Sequence, residues 1–185
     1  MINTLPADSA SRHLVEGRPD SSVRVIIYED LQCSDCAAFR RMLDDKLLPA
    51  YGAQVAFEHR DFPLPRHLWA RKAAIAARYF QQQSVQLAVE YRRHTLATIR
   101  ETTADNFTDK LAAFAKAHGA DSSKALAALS DESLAALVER DFQEGVARGV
   151  ARTPTVFVNG KPFVETFPAE EIAAAILAAL NQTAK

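Results

Sequence analysis

The hydrophobic pattern changes period between Tyr28 and Cys36, and this switch constrains the fold more than any other feature of the chain. Val23-Arg24-Val25-Ile26-Ile27-Tyr28 is β-branched and apolar, as expected of a strand buried on at least one face. After Gln32, the residues Cys36, Phe39, Met42, Leu43, Leu47 and Leu48 recur at three- and four-residue steps. That spacing predicts an amphipathic helix from near Ser34, stopped by Pro49 and Gly52. Gln54–Arg60 alternates as a second short strand and closes at Asp61-Phe62-Pro63-Leu64-Pro65. Strand, helix and strand in that order predict a βαβ unit with parallel strands.

From about His67 to Arg148 the reading is helical, in segments near 70–79, 85–99 and 108–118 and two more before Gly149. Gly119 and Gly149 stand where helices end, and Asp121 and Ser130 are predicted N-caps. Trp69, Tyr79, Phe80 and Tyr91 fall at core spacings. Arg71, Lys72 and Arg78 are expected to face outward. Arg40-Arg41 and Arg92-Arg93 read as solvated faces, and the five histidines as surface or helix-face residues. Strand character returns at Thr155–Val158 and Lys161–Val164, joined by Asn159-Gly160, the strongest short hairpin signal. Pro162 assigns its strand to an edge. Pro168 opens a last helix whose buried stripe is expected to carry Ile172, Ile176, Leu177 and Leu180.

Composition removes several function classes. Of 185 residues, 48% are hydrophobic and 24% charged, so the chain can bury a core. Lys and Arg number 22 against 23 Asp and Glu; this balance offers no electrostatic basis for nucleic acid or an anionic membrane. No apolar run approaches the roughly 18 residues of a membrane span. Met1–Pro6 shows neither a basic nor an apolar leader segment. The expectation is therefore a cytoplasmic protein if Met1 is the natural start, and a periplasmic or extracytoplasmic one if a signal peptide has been removed.

The chemistry concentrates at Cys33-Ser34-Asp35-Cys36, where a strand feeds a helix. Unpaired backbone N–H groups and the positive end of the helix dipole stabilise a thiolate on Cys33. Cys36, one turn on, is close enough to close a disulfide with it. C-x-x-C is also half of many zinc sites, but there is no second cysteine pair and no paired histidine spacing, so no metal is expected.

With Glu29–Cys36, Arg60-Asp61-Phe62-Pro63-Leu64 and Gly149–Gly160 taken together, the chain resembles the DsbA-like branch of the thioredoxin superfamily. The resemblance spans residues 23 to about 181. It implies an α/β, thioredoxin-like fold (βαβ…ββα) with an inserted all-helical subdomain. The divisions are an N-terminal extension over 1–22, a first half over 23–65, the insertion over 66–150 and a second half over 151–185. It also implies a cis peptide bond at Thr153–Pro154 beside the cysteines, presenting backbone to an extended substrate segment. The implied activity is thiol–disulfide exchange without a bound cofactor. The expected partners are cysteine-containing proteins or peptides and a further redox partner, and the chain is expected to be a monomer. A redox-sensing binding module without turnover is the alternative.

Three departures from the family pattern stand out. Similar chains carry an acid six residues before the first cysteine; here that position is Ile27, leaving Glu29 as a general-base candidate. Asp35 between the cysteines is expected to oppose the thiolate by like-charge repulsion, giving a potential of roughly −180 to −270 mV with Ser34-Asp35 as tuning residues. Arg152 replaces a glycine before Thr153-Pro154 and is read as an offset to Asp35.

Overall fold

Five strands form one sheet in the order β1-β3-β2-β4-β5: β1 (Leu14–Gly17), β2 (Arg24–Glu29), β3 (Ala56–Asp61), β4 (Thr155–Val158) and β5 (Lys161–Val164). This computed structural model describes residues 13–183. β2 and β3 are parallel, as the strand–helix–strand order predicts, and the other pairings are antiparallel. Asn159 and Gly160 both take positive φ (47° and 83°), the pair of left-handed residues that a two-residue hairpin turn requires. Pro162 lies on the edge strand, where its missing N–H costs no ladder bond.

β1 departs from the expected polar extension over 1–22, of which 1–12 lie outside the described residues. Four residues are too few to show an alternation in sequence, yet Leu14 and Glu16 are buried and the strand pairs with β3 from Leu14↔His59 to Gly17↔Ala56. Gly17 is required there: it has φ +80°, and a Cβ would lie 2.4 Å from the Val55 carbonyl oxygen.

The first helical run is α1 (Ser34–Met42), a π-helical turn over Leu43–Leu47 and α2 (Leu48–Tyr51). Pro49 does not stop it, because it falls in the first turn of α2, where a proline's missing N–H is tolerated. The insertion comprises α3 (Ala70–Gln83), α4 (Val85–Ala97), α5 (Phe107–Ala117), α6 (Ser122–Ala127) and α7 (Glu132–Ala147), and α8 (Ala169–Thr183) closes the fold. Asp121 caps α6 as expected. α7 is capped by Asp131 rather than Ser130, its carboxylate accepting from Ser133 N–H and Leu134 N–H.

Two cores result. Val25, Ile27, Phe57 and Val156 of the sheet pack against Phe39, Leu43, Ile172 and Ile176. The other is aromatic and lies in the insertion, where Trp69 stacks on Phe107 and Phe80 meets Tyr91 and Phe114; it reaches Leu31, Cys33 and Cys36. Leu177 is exposed, against expectation, because α8 is covered on one narrow stripe only. Every residue of β3 is buried, which hides the half-exposed alternation expected of it.

Candidate active site

Cys33 occupies the N-cap position of α1 with extended backbone (φ −95°, ψ 126°), so its sulfur faces the free N–H groups of the first turn. It is 6% exposed, and Cys36, one turn along, is fully buried. Both thiols are free. The Thr153–Pro154 peptide bond is cis, and the Cys33 thiol donates to the Thr153 carbonyl oxygen at 3.3 Å. The fold thus brings Cys33, Cys36, Thr153 and Pro154 together across 120 residues of sequence.

The two sulfurs are unequal. The Cys33 thiol is lowered from 9.0 to about 6. The Cys36 side chain donates to it, and the Thr153 hydroxyl and the N–H groups of Cys36 and Asp35 add to this, against burial acting the other way. In the thiol form that hydroxyl is buried without a partner, free to turn toward a thiolate. Cys36 is pushed up, first by burial and then by the neighbouring Cys33 sulfur, with Glu29 contributing. The Asp30 N–H donates to the Cys36 sulfur at 3.4 Å.

The expected tuning residues divide. Ser34 and Asp35 are exposed on the first turn, and Asp35 acts on Cys33 through its backbone N–H, which favours the thiolate. Arg152 is exposed and its guanidinium pairs with Glu165 at 2.7 Å, so its neutralising partner is Glu165 and not Asp35. Glu29 is buried at the end of β2, on the same side of the strand as Val25 and Ile27. Burial raises its carboxyl, but His59, then Arg92 and Arg40, hold it below the usual carboxylate range.

Several residues near the pair escaped the sequence reading. The Asp30 carboxylate accepts from Gln32 N–H, Leu64 N–H and His67 Nδ1, each at 2.7 Å, fixing the loop ahead of Cys33. Burial nevertheless raises its carboxyl. Gln32 accepts from Trp69 N–H at 2.8 Å and ties that loop to the insertion. Arg40, Arg78 and Arg92, expected in solvent, are buried, and so is His59, expected at a surface. Each is held by carboxylates: Arg40 by Glu16 and Asp44, Arg78 by Asp61 and Asp141, Arg92 by Glu29 and Asp61, His59 by Glu16 and Glu29. The helical phase carried a signal for Arg92, since Ala88, Tyr91, Thr95 and Leu96 share its buried face.

His13, Asp141 and Glu144 bring ligand-type atoms within 4.8 Å of one another. The Asp141 oxygens are already committed to His13, Asp61 N–H and Arg78, so this cluster fits an ion-pair role.

A sequence profile for the family described as Thioredoxin matches residues 9–178. The chain belongs to that thioredoxin family. Its fold is shared by BdbD of Bacillus subtilis (TM-score 0.83, 20% identity, 95% of this chain and 96% of that one). DsbA of Chlamydia trachomatis is also similar (0.77, 15%, 93% and 93%), as is MdbA of Corynebacterium diphtheriae, a thiol-disulfide oxidoreductase (0.74, 19%, 91% and 91%). The chain is 26% identical, over 99% of its length, to a Na(+)/H(+) antiporter NhaA of Herminiimonas arsenicoxydans, and spans only 28% of that protein. Among the described residues of this thioredoxin-family chain, no helix is long and apolar enough to cross a membrane.

Proposed function

We propose that this thioredoxin-family chain is a thiol–disulfide oxidoreductase acting on cysteine-containing proteins or peptides. The observation that carries the reading is the asymmetry of the pair: a sulfur at a helix N-terminus, 6% exposed and lowered to about 6, beside a fully buried partner pushed up. In this reading the Cys33 thiolate attacks a substrate disulfide, one substrate sulfur leaves as thiolate, and a mixed disulfide remains. The Cys36 sulfur then attacks Cys33 and the second substrate sulfur leaves, so two electrons pass to the substrate; the reverse sequence oxidises it. Thr153 and Pro154 offer backbone to an extended substrate segment. A second redox partner resets the pair, no bound cofactor is needed, and the working unit is a monomer. The division into halves over 23–65 and 151–185, with an insertion over 66–150, belongs to the same proposal.

The test is catalysis. Reduced protein should accelerate insulin reduction, and Cys33→Ser should abolish the acceleration. A titration in glutathione buffers should return a two-electron couple at roughly −180 to −270 mV. A disulfide that forms but leaves substrate exchange at the uncatalysed rate would instead establish a redox sensor.

A further inference from the structure

A carboxylate buried near a resolving cysteine invites the role of proton acceptor, and Glu29 occupies that place. Its hydrogen bonds argue for a different one. Glu29 Oε1 accepts from His59 Nδ1 at 2.8 Å and from Arg92 Nη1 at 2.8 Å. His59 Nε2 in turn lies 2.9 Å from Glu16 Oε1. A neutral imidazole has one N–H, so with both carboxylates ionised one of its two contacts would set lone pair against lone pair; the doubly protonated ring satisfies both, and a neutral ring would require one carboxyl to carry the proton instead. With His59 1% and Glu29 3% exposed, these bonds are shielded from bulk solvent. Protonating Glu29 would take the anion out of two charge-assisted bonds, both on Oε1, and leave cationic His59 and Arg92 undercompensated.

We propose that His59 is a positioning residue: bridged between Glu16 and Glu29, its imidazolium keeps a fixed negative charge on Glu29, the residue before the Asp30 N–H that meets the Cys36 sulfur at 3.4 Å, so that Glu29 takes no proton from the resolving thiol. The inference rests on the exchange reading given above. The charged groups around this centre come from every element packed on it: Glu16 from β1, Asp61 from β3, Arg40 and Cys36 from α1, Asp44 from the π-helical turn, Arg92 and Arg93 from α4, and Arg78 from α3 through Asp61. Burial pulls His59 down, and Glu29 and Glu16 reverse that and hold it above the ordinary histidine value.

The consequence concerns the resolving step. A fixed charge beside Cys36 favours its thiol, so its proton leaves only as its sulfur attacks. The new Cys33–Cys36 bond forms, the Cys33–substrate S–S bond breaks with its electron pair on the substrate sulfur, and that sulfur takes up the Cys36 proton. No group of the protein changes its charge.

The test is spectroscopic, on the full chain in its reduced state. With 13C-labelled glutamate, and the Glu29 Cδ signal assigned by its loss in Glu29→Gln, that resonance should stay flat from pH 5 to 9. In His59→Gln it should acquire a titration step inside the window. A step in the wild-type protein would make Glu29 a proton relay and overturn the proposal. A flat response in His59→Gln would show that Arg92 alone holds the charge and would overturn the part given to His59. Should His59→Gln fail to fold, 15N spectra of the wild-type His59 ring decide: both nitrogens protonated across the window is expected, and a neutral tautomer at pH 7 refutes it. These signals are read whether or not the protein exchanges disulfides, so failure here is distinct from failure of the insulin assay.

Discussion

The thiolate of Cys33 is the most quantitative handle on the site. A drop from 9.0 to about 6 corresponds to about 4 kcal/mol in favour of the thiolate at 1.36 kcal/mol per unit. Because the adjoining Ser34 and Asp35 are exposed and bring solvent close to the sulfur, screening leaves about half of that as a realistic stabilisation. The donors are separable. Thr153→Val removes a hydroxyl that has no other partner. A hydrogen bond to a charged acceptor is worth about 1.5–3 kcal/mol when buried. At the lower end of that range, its loss should carry the Cys33 midpoint from about 6 to about 7. Cys36→Ala removes the largest contribution and should carry it further. The assay is thiolate absorbance near 240 nm across pH 4–10, with iodoacetamide alkylation rates as a second reading. In the intact pair the potential should fall by about 59 mV per pH unit below the midpoint and about 30 mV above it, since one proton fewer is then taken up on reduction. A wild-type midpoint at 8–9, or Thr153→Val moving it further than Cys36→Ala, would refute the reasoning.

His59 makes the pH dependence of stability differ between redox states. Its folded pKa is raised, so its stabilisation is complete below about 6.5 and is lost as pH rises toward the folded value, at about 1.4 kcal/mol per pH unit. In the reduced form Cys33, lowered to about 6, adds the opposite slope between about 6 and 9. Urea unfolding at pH 6.5, 7.5 and 8.5 should therefore show the oxidised protein losing stability while the reduced protein holds level; parallel lines would sink this account. Gly145→Ala should destabilise by about 1–2 kcal/mol despite alanine's better helix propensity, because its Cβ would meet the Phe62 ring at 2.6 Å and Tyr28 at 3.0 Å in a packed core. A urea midpoint unchanged or raised would contradict that packing. Arg152→Ala should leave the Cys33 midpoint in place, since Arg152 pairs with Glu165; an upward move would restore it as a tuning residue.

What the sequence disclosed and what it concealed follow from the range of the interactions. The helix N-terminus at Cys33, the Asn159-Gly160 turn and the edge position of Pro162 depend on neighbours a few residues away, so local pattern carried them. The Thr153 contact with Cys33 spans 120 residues and came through resemblance, not periodicity. The buried charges were misread because each ionic residue, taken singly, has a solvated face as its ordinary environment. Arg92 becomes an interior residue only through Glu29 and Asp61, 63 and 31 residues away. β1 was missed for the same reason: four residues acquire strand character by pairing with β3.

The distribution of those charges has a further meaning. The sheet supplies carboxylates at Glu16, Glu29 and Asp61, while the helices packed on it supply Arg40, Arg78 and Arg92. Apolar burial between these layers would be non-directional and would tolerate sliding. A guanidinium whose nitrogens hold carboxylates on two different elements does not, because each of those bonds is directional. Arg92 is the decisive case, with Nη1 on Glu29 of β2 and Nη2 on Asp61 of β3. Arg92→Met would leave two buried carboxylates short of a partner and should cost about 3–5 kcal/mol. Arg92→Lys keeps the charge but reaches only one of the two strands. If geometry sets the register of α4 against the sheet, lysine should recover less than half of the loss in urea unfolding, and the Cys36 environment should shift with it, read as a changed potential. Full recovery by lysine, with the potential unmoved, would show that charge balance alone suffices and that the fork fixes nothing.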